Sequence, residues 1–399
     1  MGLLDNLNDA GKKKETLDNL PINPTQIKID KILSPTEAIV SNNKVILAGT
    51  NNYLGLTFSP ECISAGQEAL EVEGTGTTGS RMANGTYAGH LCLETEIADL
   101  FNMNHAMVFS TGYSANLGTL VALLGRGDVA LIDSEAHASL YDGCRLSGAD
   151  VLRFKHNDPE SLEKRLKRLG ERAKSTLVIV EGLYSIRGDC APLEEFIELK
   201  DKYGCYILVD EAHSLGLFGE TGAGLASEKG VVASTDFIVG TFSKSLGSIG
   251  GFCVSNHKEA SIFKYSSRPY IFTASPSPSV VATTRVALEL MKQGTHLRKK
   301  AWENANDIHE RLSAIGLNIG KTVSPIVGAS FSDDTLGYGF WVKLLEAGVY
   351  TNLILPPAAP DGGSVIRCSV TAAHSRAQIA FIGDAFARVA ESLGLGKAA

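Results

Sequence analysis

From Val45 onward the sequence alternates short apolar runs, which end in small or acidic residues, with longer helical patterns. Repetition of strand, helix and strand predicts a mainly parallel sheet with helices on both faces. In open sheets of this kind ligands bind outside the carboxyl ends of the strands, so we expect chemistry at the polar residues that follow each run. The predicted strands are Ala106–Phe109, Val129–Ile132, Val151–Phe154, Leu177–Val180, Tyr206–Val209 and Phe237–Val239.

The remainder of the chain is arranged around this sheet. Residues 1–44 are polar and interrupted by prolines, which predicts an irregular N-terminal arm. Residues 45–280 would form a large domain that contains the sheet. A helical stretch, shorter strand-like pieces and a final helix near Ile379–Leu393 predict a smaller α/β C-terminal domain over residues 281–399. A chain of 399 residues is long enough for two domains with cores of their own.

Composition argues against several classes of protein. A net charge of −7 and a single short basic run, Lys12–Lys14, give no general attraction to nucleic acid. The seven cysteines are scattered and the nine histidines lack spacing such as H-E-x-x-H, so neither a disulfide framework nor a metal site is expected. No apolar stretch approaches the ~20 residues of a membrane span, and the first residues do not resemble a signal peptide. We therefore expect a cytoplasmic protein without an integral membrane segment or a nucleic-acid partner.

Three motifs resemble those of nucleotide-binding proteins, but the neighbouring residues do not match what such motifs require. Gly74–Gly79 matches the dinucleotide pattern G-x-G-x-x-G, yet it follows a helical pattern rather than a strand. Asp210–His213 spells the DEAH box of some helicases, and Gly320–Thr322 ends like a phosphate-binding P-loop. The P-loop requires glycine where Ile315 stands, so neither a nicotinamide site nor an ATPase site is expected.

Two strand ends supply the groups that pyridoxal 5'-phosphate (PLP) chemistry requires. Asp210 follows the run Tyr206–Val209, and Lys244 follows the strand that begins at Phe237. Both side chains are predicted to lie at the same edge of the sheet. PLP requires an amine for covalent attachment and a carboxylate that keeps its pyridine nitrogen protonated. Lys244 and Asp210 are suited to these two tasks.

Other strand ends add groups that such a cofactor could use. Ser110–Asn116 is a strand-to-helix turn of the kind that binds phosphate, and Thr241 and Ser243 place hydroxyls beside the lysine. His137 is placed to cover the pyridine ring, and His213 to reach its phenolic oxygen. Taken singly, such residues are more often surface groups or helix caps. Their occurrence in this order at four strand ends favours a PLP site.

These residues lie in strings by which the chain resembles the α-oxoamine synthases, which are fold-type-I PLP enzymes. The resemblance extends from about residue 36 to the C-terminus. It implies an α/β fold of the fold-type-I PLP transferases and a homodimer whose active site is shared across the interface. The strings are Gly74–Met82, Phe109–Tyr113, Ser134–Ser139, Glu181–Ser185, Asp210–Ser214 and Gly240–Leu246.

The resemblance implies a role for each matching residue. Lys244 would carry PLP and act as acid and base, Asp210 would pair with the pyridinium nitrogen, and His137 would stack on the ring. His213 would donate to the phenolic oxygen. The other implied cofactor contacts are Gly112, Tyr113, Thr241, Ser243 and, donated by the other subunit, Thr273. The implied substrate contacts are Arg367, which would bind the carboxylate, and Tyr53, Ser80 and Met82.

Some strings distinguish members of this family. Ser248–Cys253, Ser267–Pro276 and Leu355–Pro360 resemble the member that condenses L-serine with palmitoyl-CoA or another long-chain acyl-CoA. Its products are 3-ketodihydrosphingosine, CoA and CO2, in the first step of sphingolipid biosynthesis. Siblings that use glycine or alanine, such as 2-amino-3-ketobutyrate CoA ligase and 8-amino-7-oxononanoate synthase, share the core residues and remain alternatives. A non-catalytic partner subunit is a further alternative, against which the lysine, aspartate and histidine at the strand ends argue.

Overall fold

The computed structural model describes residues 2–356, 358–359 and 362–395. The strands of this part of the chain are β1 (Ile29–Ser34), β2 (Glu37–Val40), β3 (Asn43–Leu47), β4 (His105–Phe109), β5 (Val129–Asp133), β6 (Asp150–Phe154), β7 (Thr176–Glu181), β8 (Tyr206–Asp210), β9 (Phe237–Thr241), β10 (Gly251–Ser255), β11 (Ile326–Phe331), β12 (Val349–Tyr350), β13 (Asn352–Ile354) and β14 (Ser364–Ser369). Its helices are α1 (Asn8–Asp18), α2 (Pro60–Glu73), α3 (Ala88–Phe101), α4 (Gly112–Leu123), α5 (Ala138–Ser147), α6 (Pro159–Leu169), α7 (Leu193–Tyr203), α8 (Leu225–Glu228), α9 (Phe263–Ser266), α10 (Arg268–Ile271), α11 (Pro278–Gln293), α12 (Thr295–Ile315), α13 (Asp334–Glu346) and α14 (Arg376–Ser392).

The central sheet has seven strands in the order β4-β10-β9-β8-β7-β5-β6. Strands β9, β8, β7, β5 and β6 are parallel, whereas β10 runs antiparallel to both β9 and β4. Every residue of β5, β7 and β9 is buried, as expected for strands covered by helices on both faces. The six strands predicted from apolar runs all form, and the mainly parallel sheet is confirmed.

The N-terminal segment is more ordered than an irregular arm. Residues 8–18 are helical, and β1, β2 and β3 form an antiparallel sheet. A fourth strand, β12, pairs with β3 in parallel, and the Ile46 N–H donates to the Gly348 carbonyl oxygen at 2.8 Å. This sheet ties the start of the chain to the C-terminal part. The limits of the arm and of the two domains remain predictions.

The C-terminal part has its own small sheet, β11-β14-β13. Helices α12, α13 and α14 pack against it around Trp341, Phe340 and Phe386, which are fully buried. Helix α14 begins after Ser375, whose hydroxyl caps it by accepting the Gln378 N–H at 3.2 Å. This core holds β14 in place, and β14 carries one of the predicted site residues.

The large sheet positions acidic side chains at one edge. Strands β5, β7 and β8 end in Asp133, Glu181 and Asp210, and the last two stand opposite each other in the parallel register. Because parallel strands present their carboxyl ends together, three carboxylates gather there. The candidate site lies at this edge.

Candidate active site

A cavity of about 320 Å³ opens at the carboxyl ends of β5, β7, β8 and β9. Its walls include many of the residues predicted from the sequence. These are Gly112, Tyr113, His137, Asp210, His213, Thr241, Ser243 and Lys244. Four strand ends and the start of α4 therefore meet as the apolar pattern predicts.

Asp210 is buried at the end of β8, and its carboxylate is held from two sides. Its Oδ1 accepts the Ala212 N–H at 2.8 Å, and its Oδ2 accepts the Asn116 amide at 2.7 Å. The same amide nitrogen lies 2.9 Å from Ser139 Oγ, which lies 2.7 Å from His137 Nδ1. A continuous hydrogen-bonded chain thus links the aspartate at the base of the cavity to the imidazole at its wall.

His213 belongs to a second buried network. Its Nδ1 lies 2.7 Å from the Tyr53 hydroxyl, which accepts a hydrogen bond from Arg367 Nη2 at 3.1 Å. Arg367 Nη2 also donates to Asn51 Oδ1 at 2.8 Å, and Arg367 Nε donates to the Ser185 carbonyl oxygen. Within the described residues the guanidinium has no carboxylate partner, so its charge remains available to an anionic ligand.

The turn from β4 to α4 forms one end of the cavity. Thr111 caps the helix, because its Oγ1 accepts the Ser114 N–H at 3.0 Å. A Cβ on Gly112 would lie 2.7 Å from Thr241 Cβ, so this close approach requires glycine. Thr241 Oγ1 lies 2.9 Å from Ser243 Oγ. The free N–H groups of a first helical turn and two adjacent hydroxyls are donors suited to a phosphate.

Five predicted residues do not line this cavity in the single chain: Tyr53 and Arg367, which belong to the buried network at His213, and Thr273, Ser80 and Met82. Thr273 is exposed and does not line the cavity, and neither do Ser80 and Met82. A β-bridge between Ser80 and Ala274 holds these two loops together. The structure therefore divides the predicted site into a cavity with its adjoining buried network and a separate group of residues that are half-buried (Ser80) or exposed (Met82 and Thr273). Pro357 and Pro360, which belong to a string read as serine-specific, lie outside the described residues.

Comparison with known proteins places the chain in a family. Residues 43–385 match the family described as aminotransferase class I and II. The chain belongs to this family. It is 48% identical over 395 residues to the serine palmitoyltransferase of Caulobacter vibrioides (strain NA1000 / CB15N), and the match covers 99% of this chain and 98% of that one.

Solved structures of similar proteins cover the same length. The serine palmitoyltransferase of Sphingomonas wittichii is 44% identical with a TM-score of 0.96, and the match covers 99% of this chain and 100% of that chain. A lysine-to-alanine variant of the enzyme from S. paucimobilis, with a bound PLP–myriocin aldimine, is 42% identical with a TM-score of 0.95 at the same coverage. The predicted fold-type-I transferase fold is thereby confirmed.

Burial is the main cause of the shifted pKa values of the side chains in the cavity of this chain. Burial lowers the pKa of Lys244 to about 8, although the charge of Asp210 opposes the shift. Burial, together with the charges of Lys244 and Arg367, holds the pKa of His213 well below its usual range. Burial also lowers the pKa of His137. At neutral pH both imidazoles are therefore neutral, and a substantial part of the lysine is a free amine.

Three functional side chains lie in segments that the sequence prediction includes, but they have no predicted role of their own. Asn116 and Ser139 join Asp210 to His137, and Glu181 accepts the His137 N–H at 2.5 Å through Oε1. Burial raises the pKa of the Glu181 carboxyl well above its usual range, and the nearby Asp210 charge raises it further. Glu181 ends an apolar run just as Asp210 does, and this signal could have identified it.

Among the described residues, no group of three or more His, Cys, Asp or Glu side chains is placed to hold a metal ion. No helix in the same part of the chain is long and apolar enough to cross a membrane.

Proposed function

We propose that this chain is a PLP-dependent serine palmitoyltransferase. It condenses L-serine with palmitoyl-CoA or another long-chain acyl-CoA and releases CoA, CO2 and 3-ketodihydrosphingosine, the first step of sphingolipid biosynthesis. The observation that carries the proposal is that Lys244, Asp210 and His137 line one cavity in a chain 48% identical to a serine palmitoyltransferase over its whole length. A non-catalytic partner subunit would have no need for this set of residues.

The cavity offers PLP each kind of group that it requires. The Lys244 amine has no hydrogen bond or ion pair with the described part of the chain, so it is available for covalent attachment. Asp210 is buried, fixed and negatively charged, as a partner of a protonated pyridine nitrogen has to be. Thr241, Ser243 and the first turn of α4 supply donors for the phosphate.

Each of these residues has a task in the proposed reaction. Bound PLP supplies an electron sink for the electrons left at Cα of serine when a bond there breaks. Lys244, with its lowered pKa, takes the Cα proton and later returns one. Arg367 binds the substrate carboxylate, and His137 packs against the ring face. By fixing the substrate carboxylate, Arg367 would determine which bond at Cα breaks.

A second cavity, of about 390 Å³, supports a long acyl chain as the other substrate. Ser243 and Lys244 line both cavities, so the second one begins at the reacting amine. Its walls include the apolar side chains of Ile32, Leu47 and Phe58. Burial of an alkyl chain gains about 0.8 kcal/mol per CH2, which favours long acyl-CoAs over short ones. We infer that the acyl chain lies in this second cavity.

We also propose a homodimer in which each subunit completes the site of the other. The support is that Thr273, Ser80 and Met82 lie outside the cavity of their own chain, on exposed loops. Phe272 is 71% exposed and Ile249, at the rim of the cavity, is 50% exposed. Large apolar side chains exposed beside a site are typical of an interface. We place this dimer in the cytoplasm.

A substrate panel tests the reaction. With PLP bound, the protein is expected to release CoA from palmitoyl-CoA with L-serine much faster than with glycine or L-alanine, and to react slowly with short acyl-CoAs. A site that hydrogen-bonds the serine hydroxyl is left with unpaired polar groups when alanine binds. Faster turnover of glycine with acetyl-CoA, or of alanine with pimeloyl-CoA, would overturn the serine assignment and leave the fold and the PLP site in place.

Mixed dimers test the shared site. Lys244→Ala and Thr273→Asp chains are each expected to be inactive, the second because it places a negative charge beside the phosphate. Mixed and re-equilibrated in equal amounts, they would restore about one quarter of the wild-type sites, since half of the dimers then contain one intact site. Absence of any recovery, with heterodimers demonstrated by mass spectrometry, would show that Thr273 acts within its own subunit.

A further inference from the structure

His156 lies outside both cavities, between two carboxylates. Its Nδ1 lies 2.9 Å from Asp133 Oδ1, and its Nε2 lies 2.7 Å from Asp189 Oδ2. A neutral imidazole has only one N–H donor, whereas both nitrogens here face an acceptor. The side chain is 15% exposed, and that of Asp133 is fully buried. His156 is therefore an imidazolium that bridges two acids in the interior.

The charges of this triad support the same assignment. Burial alone would lower the pKa of His156, but the hydrogen bonds of Asp133 and Asp189 outweigh it and raise the pKa to about 10. For Asp189, burial would raise the pKa, and the contact with His156 lowers it below its usual range. The Tyr184 ring packs edge-on against the imidazole at 4.4 Å between centroids. His156 and Asp189 therefore stay charged across the neutral range.

One end of the bridge fixes the turn that carries His137. Asp133 ends β5, and its Oδ1 also accepts the Glu135 N–H at 2.8 Å. Its Oδ2 accepts the Asn157 N–H at 2.9 Å. The turn that follows reaches His137, whose N–H is held by Glu181. The position of His137 at the cavity wall thus depends on a carboxylate that His156 neutralises.

The other end fixes a hairpin that holds Arg367. The Tyr184 N–H donates to the Asp189 carbonyl oxygen at 2.9 Å, and the Gly188 N–H donates to the Tyr184 carbonyl oxygen at 3.1 Å. Ser185 lies inside this hairpin, and its carbonyl oxygen accepts from Arg367 Nε. Asp189, at the end of the hairpin, is the acid that His156 contacts through Nε2. The imidazolium therefore ties the hairpin to the β5 turn, together with the Arg187–Glu135 ion pair and the Asn157 amide, which donates to Asp189 Oδ2 at 3.1 Å.

We propose that His156 is a positioning residue that sets the places of His137 and Arg367 together, through Asp133 and Asp189. The inference rests on the proposed function, in which Arg367 binds the serine carboxylate. Loss of the bridge loosens the hairpin, which the contacts of Arg187 and Asn157 still hold in part, so binding of serine weakens. The acyl cavity lies on the other side of Lys244 and has none of these residues in its walls, so the acyl-CoA is recognised as before.

The test is His156→Gln, whose single amide cannot donate to both acids with the geometry of a ring. The KM for L-serine is expected to rise about tenfold, as for the loss of a hydrogen bond to a charged group, while the KM for palmitoyl-CoA changes less than about twofold. Hydrogen exchange of the PLP-free protein, followed by mass spectrometry, is expected to speed up in peptides that cover residues 133–137 and 184–189. Asp189→Asn provides a second variant, which loosens the hairpin alone and raises the serine KM.

A matched control is His257→Gln. His257 Nε2 pairs with Asp236 Oδ1 at 2.8 Å, but at the amino ends of β8 and β9, the opposite edge of the same sheet. This variant should leave the serine KM unchanged, and also the rate of hydrogen exchange in the peptides that cover residues 133–137 and 184–189. An unchanged serine KM in both His156→Gln and Asp189→Asn, or equal effects of the His156 and His257 variants, would overturn the positioning role. A wild-type protein inactive with serine would instead overturn the proposed function, and hydrogen exchange would still test the bridge.

Discussion

The lowered pKa of Lys244 leads to a prediction about the PLP-free protein. An ordinary lysine titrates near 10.5, whereas burial lowers the pKa of Lys244 to about 8. At pH 7.5 roughly a quarter of the Lys244 side chains are then neutral, against about one in a thousand for an ordinary lysine. The nucleophilic amine is thus more than about 100-fold more abundant, which speeds the attachment of an aldehyde.

The pKa can be measured by competitive labelling with acetic anhydride between about pH 6 and about pH 11. Mass spectrometry of the peptide that contains Lys244 gives the fraction labelled, and surface lysines serve as the internal reference. The labelling rate in the wild-type protein should rise with a midpoint near pH 8. In Asp210→Asn the midpoint should fall further, because the carboxylate whose charge raises the lysine pKa is gone.

Asp236→Asn is the control, since this acid lies at the opposite edge of the sheet and should leave the Lys244 midpoint unchanged. A wild-type midpoint near 10.5 would refute the argument from burial. A midpoint that rises in Asp210→Asn would refute the assigned attraction between the two groups. Either result would leave the covalent role of Lys244 without its electrostatic basis.

Two further predictions concern groups that hold the site. Asn116→Ala removes the donor to Asp210, and a hydrogen bond to a charged group contributes about 1.5–3 kcal/mol, so PLP titrations should show affinity at least about tenfold lower. Unchanged affinity would show that Ala212 alone suffices. His156 has a folded pKa near 10 against 6.5 for an ordinary histidine, so its contribution to the free energy of unfolding is complete below pH 6.5 and is lost as pH rises through about 10. Urea titrations across this pH range should show this loss of unfolding free energy in the wild type and a smaller loss in His156→Gln. An equal dependence of the unfolding free energy on pH in the two proteins would contradict the prediction.

The fold was predictable where burial leaves a strong local pattern. Strands β5, β7 and β9 are buried along their whole length, so each appears as a continuous apolar run. Strand β1 is almost entirely exposed, so it has no apolar run. Strand β10 is buried, but no clear change in apolar content marks where it begins and ends, so it has no such signal either. Their pairing with partners distant in the chain, rather than local composition, makes them strands.

The site was predictable to the same extent. Asp210 and Lys244 directly follow apolar runs, and the parallel topology brings such positions to one edge. Asn116 lies within α4 and contacts Asp210 because that helix packs over the sheet. No local sequence pattern predicts this contact. Arg367 lies on β14 in the C-terminal part, and its contact with Tyr53 joins two distant segments. Only the resemblance to a family indicated that arginine.

Hydrogen-bond directions act together with burial in holding His137 neutral. The Ser139 N–H points at His137 Nδ1, so this nitrogen is an acceptor, and the Ser139 hydroxyl donates to it while accepting from the Asn116 amide. The ring proton of His137 is therefore on Nε2. On the other wall, Arg367 donates to the Tyr53 hydroxyl, whose shorter remaining contact, at 2.7 Å against 3.2 Å to Asn51, is with His213 Nδ1. The His137 tautomer is thus set through Ser139 by the Asn116 amide, which lines the cavity and cannot accept a proton, whereas the Tyr53 hydroxyl has one proton for two neighbours, Asn51 Oδ1 and His213 Nδ1.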